Sequence, residues 1–484
     1  MAVVTWDGSS STAYSTAANW DTGSVPADGD DVVIPDTSSI NACNVDSNDS
    51  CNSLTVLSNG EIGSDNGSKL AILGEADGTG ATTNGFGVNI DGAITDNGGT
   101  SLDIDIRTPA ATTIDLYAQG GGKLRNIIIN HASCVATLGA LIDITGNLTI
   151  TAGELNTNSG SNYAVTVAGA TSITGTLTCN SSTISLGAAV TSGYALTVND
   201  GGTFTGGTGT HTIGSFNVSG SGSGGSMTLS SSNTTISSRN TSQNRFFEVS
   251  SNSNSFANGS GTLIFTTAAG SNIVLNKSGA TLNNVQINHA SCVVTLLTTA
   301  ITISGNLTIT AGELDTGPDD VALTVTGDAS VTGTLTGNAS AISLGSLTIA
   351  SGGTYSATSG TTTITGEAGS GYAIEVLGTY TANAGTLKIT TDANTLVKIL
   401  DDVNHLNIEA ATATRVYEWV NNTTIQGNLT VNAGRFAHYS SLFSLDVQGD
   451  CTINNTGILD GGSGSIELGS LTIASGGEYR ATTG

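Results

Sequence analysis

Apolar residues recur at every second position in short runs along the chain, as in Leu148-Thr-Ile150, Val165-Thr-Val167, Ile184-Ser-Leu186 and Leu196-Thr-Val198. A period of two puts those side chains on one face of a β-strand and the intervening Thr, Ser or Asn on the other. Gly, Asn, Asp and Ser end each run and supply the turns. Strand centres lie roughly a dozen to twenty residues apart, the spacing of a short-coil solenoid. A strand of four or five residues cannot bury its apolar face alone, so the pattern predicts coils stacked in parallel with like side chains in register. About 20 coils at about 4.8 Å each would make a rod on the order of 100 Å. The competing fold, an array of β-sandwiches, would need longer strands and regularly spaced hairpin dipeptides, which are poorly represented.

Longer repeats are superimposed on this beat. Gly146-Asn-Leu-Thr-Ile-Thr-Ala-Gly-Glu-Leu155 recurs as Gly305-Asn-Leu-Thr-Ile-Thr-Ala-Gly-Glu-Leu314, and in degenerate form as Gly427-Asn-Leu-Thr-Val-Asn-Ala-Gly-Arg-Phe436. Upstream, Leu124-Arg-Asn-Ile-Ile-Ile129, Leu282-Asn-Asn-Val-Gln-Ile287 and Val403-Asn-His-Leu-Asn-Ile408 correspond, and Gly345-Ser-Leu-Thr-Ile-Ala-Ser-Gly-Gly-Thr-Tyr355 returns at 469–479. The chain divides on this basis into residues 1–75, an N-terminal cap module; 76–218, solenoid with the first repeat; 219–260, a Ser/Gly/Asn-rich loop or irregular coil holding Arg245-Phe-Phe247; 261–390, the second repeat; and 391–484, the third.

The third repeat departs from the other two. Arg415-Val-Tyr-Glu-Trp419 and Arg435-Phe-Ala-His-Tyr439 concentrate aromatics and charge in a chain that is only 5% aromatic. Alternation places Arg415, Tyr417 and Trp419 on one face. Exposed, this stripe, with Arg435, Phe436, His438 and Tyr439, would stack on sugar rings or anchor a partner; buried, it fills a wider coil.

Composition narrows the class further. Only 10% of residues are charged, Gly numbers 65 and Pro 4, and the β-branched residues suit strands. The net charge of −26, from 38 acidic and 12 basic residues, repels phosphate backbones, so nucleic acid is not an expected partner. No apolar run is long enough to predict a membrane-spanning helix. Residues 1–8 carry neither the basic nor the apolar region of a secretory signal, which predicts either a removed signal or another route of export. Of the six cysteines only Cys43 and Cys51 are close in sequence, and they could close a small disulfide loop under oxidising conditions. Cys134 and Cys292 hold matching places in two repeats and read as small core residues.

Motifs with chemistry are few. Asp103 and Asp105 would share the solvent face of a strand beside Arg107, while Asp319/Asp320 and Asp401/Asp402 fall at turns; such pairs in an acidic chain read as solvated groups and not as an acid/base pair. The five histidines, 131, 211, 289, 405 and 438, lack metal-ligand spacing, and Gly220-Ser-Gly-Ser-Gly-Gly225 has no phosphate-binding signature. No cofactor is expected; calcium at acidic turns would be structural, and no repeated motif makes it specific.

The opening stretch, Trp6-Asp-Gly, Ala18-Asn-Trp20, Gly23-Ser-Val-Pro26 and Gly29-Asp-Asp-Val-Val-Ile-Pro35 followed by Ser53-Leu-Thr-Val-Leu57, resembles the start of the G8 domain over roughly the first 75 residues. The repeats after it resemble those of autotransporter passengers, large adhesins and phage fibres. The resemblance implies a right-handed parallel β-helix with an N-terminal cap in which Trp6 and Trp20 pack. It also implies a non-enzymatic structural or adhesive protein of a virion or cell surface that contacts surface glycans and self-associates as a homotrimer, with end-to-end filament growth the physical alternative for an uncapped solenoid. The alternatives are a bacterial extracellular adhesin or filament subunit, and a tailspike-type polysaccharide-degrading enzyme.

Overall fold

The computed structural model describes the 484-residue chain apart from residues 65, 80, 83–84, 96–101, 116–123, 188–192, 252, 277–280, 298, 411, 440–442 and 482–484. Among the described residues the chain is all β, with a single three-residue 3-10 turn, Ala17–Asn19. Among the described residues the strand ladders are parallel, and antiparallel contact is limited to the isolated bridges Trp6–Trp20 and Asn240–Arg245. The predicted architecture, a parallel β-solenoid, is the one observed, in two compact units, Met1–Gly261 and Thr262–Gly484.

In the first unit, Val3–Thr5 pairs with Asp31–Ile34, which pairs with Ser53–Val56, so the opening residues enter the ladder at once. Trp6 and Trp20 are buried and meet edge to face at 5.0 Å, with Tyr14 on Trp20 at 4.8 Å. Both indole N–H groups are satisfied, Trp6 donating to the Asn41 carbonyl and Trp20 to that of Tyr14. Further on, each coil contributes three short strands to three separate faces. One face runs Thr171–Ile173, Leu196–Val198, Phe216–Val218, Arg245–Val249. A second runs Thr176–Thr178, Thr203–Thr205, Ser226–Thr228, Ser255–Ala257, and the third Ile184–Leu186, His211–Ile213, Thr234–Ile236.

The 219–260 stretch corrects the expectation of a loop or irregular coil, since it supplies regular strands to all three faces. Its Gly and Ser residues turn the corners, and Phe216, Phe247 and Phe256 stack inside, the first two at 4.6 Å with their ring planes nearly parallel. This aromatic column supplies the apolar burial that composition alone concealed.

The second unit repeats the three-sided arrangement. The first half of Leu307–Asp315 leads a face that continues through Leu323–Val331, Ile342–Ile349, Tyr372–Val376, Thr395–Ile399, Val416–Trp419 and the end of Leu429–His438. The start of Leu429–His438, which carries the third copy of the Gly-Asn-Leu-Thr motif, lies instead on the face led by Ile301–Ile303. The third repeat is therefore rotated by one face relative to the second. Aliphatic residues fill much of the inward row of the first of these faces, with Leu347, Ile349, Ile374, Val376, Val397 and Ile399 all buried.

A ladder of turn side chains ties successive coils together in each repeat. The Asn126 side-chain oxygen accepts the backbone N–H of Asn147, and that of Asn147 accepts from Ala170. Asn284, Asn306 and Asp328 reproduce the relay at 2.9 Å per step, and His405 Nδ1, Asn428 and Asp450 do so in the third repeat. Each step spans 21 to 23 residues, one coil. Corner N–H groups that would otherwise lack a strand partner are thereby satisfied. Gly153 and Gly312, at φ 82° and 87°, turn the next corner where a Cβ would strike two carbonyl oxygens at 2.6 Å or less. Substituting Asn306 by Ala removes an acceptor and is expected to cost about 1 kcal/mol, whereas His405→Asn restores the residue type of the other copies and is expected to be neutral; amide hydrogen exchange in the neighbouring coils reads both.

His211 breaks the apolar rule of the inward rows. It sits between Ile184 and Thr234 in the ladder, buried, with Phe204 against its ring at 5.9 Å. Neither ring nitrogen makes a well-formed hydrogen bond. Burial pushes its pKa down to about 4, and the Gly206 backbone offsets this only in part. The unfolded chain, with an ordinary imidazole near 6.5, takes up its proton first. Stability is thus unaffected above about pH 6.5 and falls by roughly 3 kcal/mol as the pH drops towards 4. His211→Leu is expected to abolish this loss and to raise the protection of the 184–236 strands at neutral pH by about 1 kcal/mol; hydrogen exchange at pH 4 and 7 that does not distinguish the variant from the parent would refute the assignment.

Candidate functional site

Outward positions of the solenoid are mostly Thr, Ser and Asn, and one face of the second unit abandons that rule. Its exterior row begins Thr308, Ser330, Thr348 and then changes to Glu375 and Lys398. Val420 and Tyr439 follow, one register step past the Val397–Trp419 and Trp419–His438 pairs, with the Tyr439 N–H donating to the Trp419 carbonyl. In the adjoining exterior row Tyr372 lies opposite Leu396. Tyr372, Leu396, Lys398, Val420, Tyr439 and Phe443 line a groove of about 380 Å³. Tyr439 is 61% exposed, and the other lining residues are half-buried. The Lys398 ammonium donates to the Glu375 carboxylate at 3.2 Å, so the charge in the groove is internally balanced.

Of the residues expected in the third-repeat stripe, only Tyr439 reaches this groove. Tyr417, Trp419 and Phe436 are fully buried, which corrects the exposed-stripe alternative: they point inward and widen the core. Trp419 packs on Phe436 at 4.5 Å and on His438 at 4.3 Å, and the Tyr417 hydroxyl donates to the Thr391 carbonyl at 2.6 Å. Arg415 does not share their face; it stands at the corner before the strand and pairs with Asp392 at 2.9 Å. Arg435 pairs with Asp460 at 2.8 Å. Burial alone would raise the Asp460 pKa, but the Gly462 N–H and the Arg435 guanidinium bring it below the usual carboxylate value. Tyr372, Leu396, Lys398, Val420 and Phe443 were not anticipated, although apolar residues at outward positions, as in Leu396-Val-Lys398, were a readable signal.

The other candidate groups are structural. Asp103 and Asp105 lie on the outward side of their strand but are buried and not solvated, because the Arg107 side chain folds over Asp105 at 2.6 Å and Asn126 donates to Asp103 at 2.7 Å. Burial raises the Asp103 pKa against the opposing pull of Asn126, Arg125 and Lys69. At the turns, Asp320 accepts the Ala339 N–H, Asp401 that of Tyr380, and Asp402 the Gln426 amide. Cys43 and Cys51 are buried free thiols, as are Cys134 and Cys292, and burial holds Cys43 and Cys51 protonated. His131 and His289 occupy equivalent corners, each ring accepting a backbone N–H two residues on, from Ser133 and Ser291. Among the described residues no three His, Cys, Asp or Glu converge as a metal would require, and no helix is long and apolar enough to cross a membrane.

Fold and face together define a parallel β-solenoid with an apolar-aromatic exterior groove. No family model matches the chain, and no curated protein or solved structure matches it.

The division between core and surface aromatics has a direct consequence for stability. Trp419→Ala empties the widened coil and is expected to cost about 3–5 kcal/mol, while Tyr439→Ala is expected to stay within about 0.5 kcal/mol of the parent. Hydrogen exchange across 395–438 makes the comparison, and a large loss in the Tyr439 variant would place that ring in the core after all.

Proposed function

We propose that the protein is a non-enzymatic structural and adhesive component of a virion or cell surface, a rigid scaffold that presents an attachment face. The observation that carries this reading is the repeated use of polar and acidic side chains as architecture. Turn amides, carboxylates and imidazoles bind the backbone of the next coil, and the buried acid pair is closed by Arg107 and Asn126. Such groups are already committed, whereas a general acid or base must be free to exchange a proton with a substrate. Stacked parallel coils with dry aliphatic rows resist local opening and suit an exposed, mechanically loaded position. Surface glycans are the attachment partners, and self-association as a homotrimer or end-to-end filament belongs to the same reading.

Two measurements test it. Incubation with capsular and algal polysaccharides is expected to release no reducing ends, and an antiserum against the protein is expected to label intact virions or cells of the source. Progressive depolymerisation would favour the tailspike-type enzyme, and labelling only after lysis would remove the surface assignment. Light scattering of the purified protein that gives the monomer mass at all concentrations would remove self-association.

A further inference from the structure

We propose that the groove lined by Tyr372, Leu396, Lys398, Val420, Tyr439 and Phe443 binds an uncharged, extended polysaccharide laid along the direction in which the coils stack. The inference rests on the reading of the protein as an attachment scaffold and names the ligand class of that scaffold. Three features of the groove select the ligand.

The first is its surface chemistry. Two tyrosine rings and a phenylalanine stand among Leu396 and Val420, in line with an exterior row that begins with the hydroxyls of Thr308, Ser330 and Thr348. Aromatic faces take up the flat C–H face of a pyranose, whose hydroxyls then point sideways to polar neighbours. Lys398 and Glu375 supply a donor and an acceptor at the groove edge, 3.2 Å apart.

The second is charge. Lys398 is neutralised by Glu375, and Glu418 lies beside Leu396 in the neighbouring exterior row, in a chain whose net charge is −26. An anionic glycan would meet uncompensated repulsion here, and an uncharged one would not.

The third is spacing. Tyr372 and Tyr439 lie on strands three ladder steps apart, through Thr395–Ile399 and Val416–Trp419. At about 4.8 Å per step the lining residues climb about 14 Å along the stack. An equatorially linked hexose chain advances about 5 Å per sugar, close to one strand spacing, so successive rings would meet successive coils.

The test uses the full chain and hexamers of β-1,4-linked glucose, mannose and N-acetylglucosamine, with hexagalacturonate as the acidic probe, titrated by calorimetry. At least one neutral hexamer is expected to bind, with affinity insensitive to salt. Tyr439→Ala and Tyr372→Ala are each expected to weaken it about tenfold, the size of a lost aromatic contact, with the circular dichroism of both variants unchanged. Binding of hexagalacturonate alone, no binding of any neutral hexamer, or binding that survives both substitutions would overturn the proposal. So would loss of self-association in the Tyr439 variant without any glycan binding by the parent, which would make the groove a protein contact. Failure here leaves the surface labelling and reducing-end results untouched, so it is separable from failure of the scaffold reading.

Discussion

Many strands in this protein, such as Val165–Val167, Leu196–Val198 and Phe216–Val218, are only three residues long and cannot hold their own shape, and the parallel hydrogen-bond ladder between coils supplies what each lacks. A three-residue strand such as Leu196–Val198 contributes two inward side chains, and only a like strand above and below removes them from water. The backbone groups of one coil are at the same time the partners of the next. Burial and hydrogen bonding are therefore satisfied by one operation, repeated once per coil. The Asn and Asp relays at the corners extend it to N–H groups that the strands leave unpaired.

This constraint acts on a narrow set of positions. Inward residues must be apolar and of matched volume, corners must accept positive φ or offer a side-chain acceptor, and outward residues are nearly free. Repeats can consequently drift in sequence, and even rotate by one face, without loss of the ladder. The third copy of the Gly-Asn-Leu-Thr motif does both: it begins on the face led by Ile301–Ile303 and starts its relay from His405 where the other copies use Asn126 and Asn284. The freedom of outward positions is also what allows a binding face to be written onto the scaffold without rebuilding it.

How much of this the sequence revealed follows from the same division. The inward alternation, Leu148/Ile150 or Val165/Val167, is a local signal with a single structural solution, and the parallel stack was legible from it. The fate of the third-repeat aromatics was not, because alternation fixes that Tyr417 and Trp419 share a side but not which side faces water. Here Tyr417 and Trp419 pair with the buried Thr395 and Val397, and the aromatics took the inward side. Asp103 and Asp105 misled for the opposite reason: they do lie on the outward side, but Arg107 and Asn126 cover them. The 219–260 stretch hid its order because Phe216, Phe247 and Phe256 meet only after the chain has completed its turns, a contact between positions some 30 residues apart in the first case. Groove residues such as Tyr372 and Phe443 are similarly distant in sequence, and three-sided coiling brings them to one surface.

The stacking also sets the scale at which the exterior can recognise anything. Inter-coil distance is fixed by backbone hydrogen bonding at about 4.8 Å, whatever the side chains are. An exterior row is thus a ruler whose divisions evolution can label but not move. In the row Thr308, Ser330, Thr348, Glu375, Lys398, Val420, Tyr439 the labels change from hydroxyl to ion pair to apolar and aromatic while the pitch stays constant. A partner that repeats at a similar interval can engage several divisions with one kind of contact each, and its orientation is then dictated by the stacking axis. A partner without such a repeat would gain from only one division at a time. The ladder that stabilises the fold therefore favours long, regular ligands over compact ones, before any individual side chain is considered.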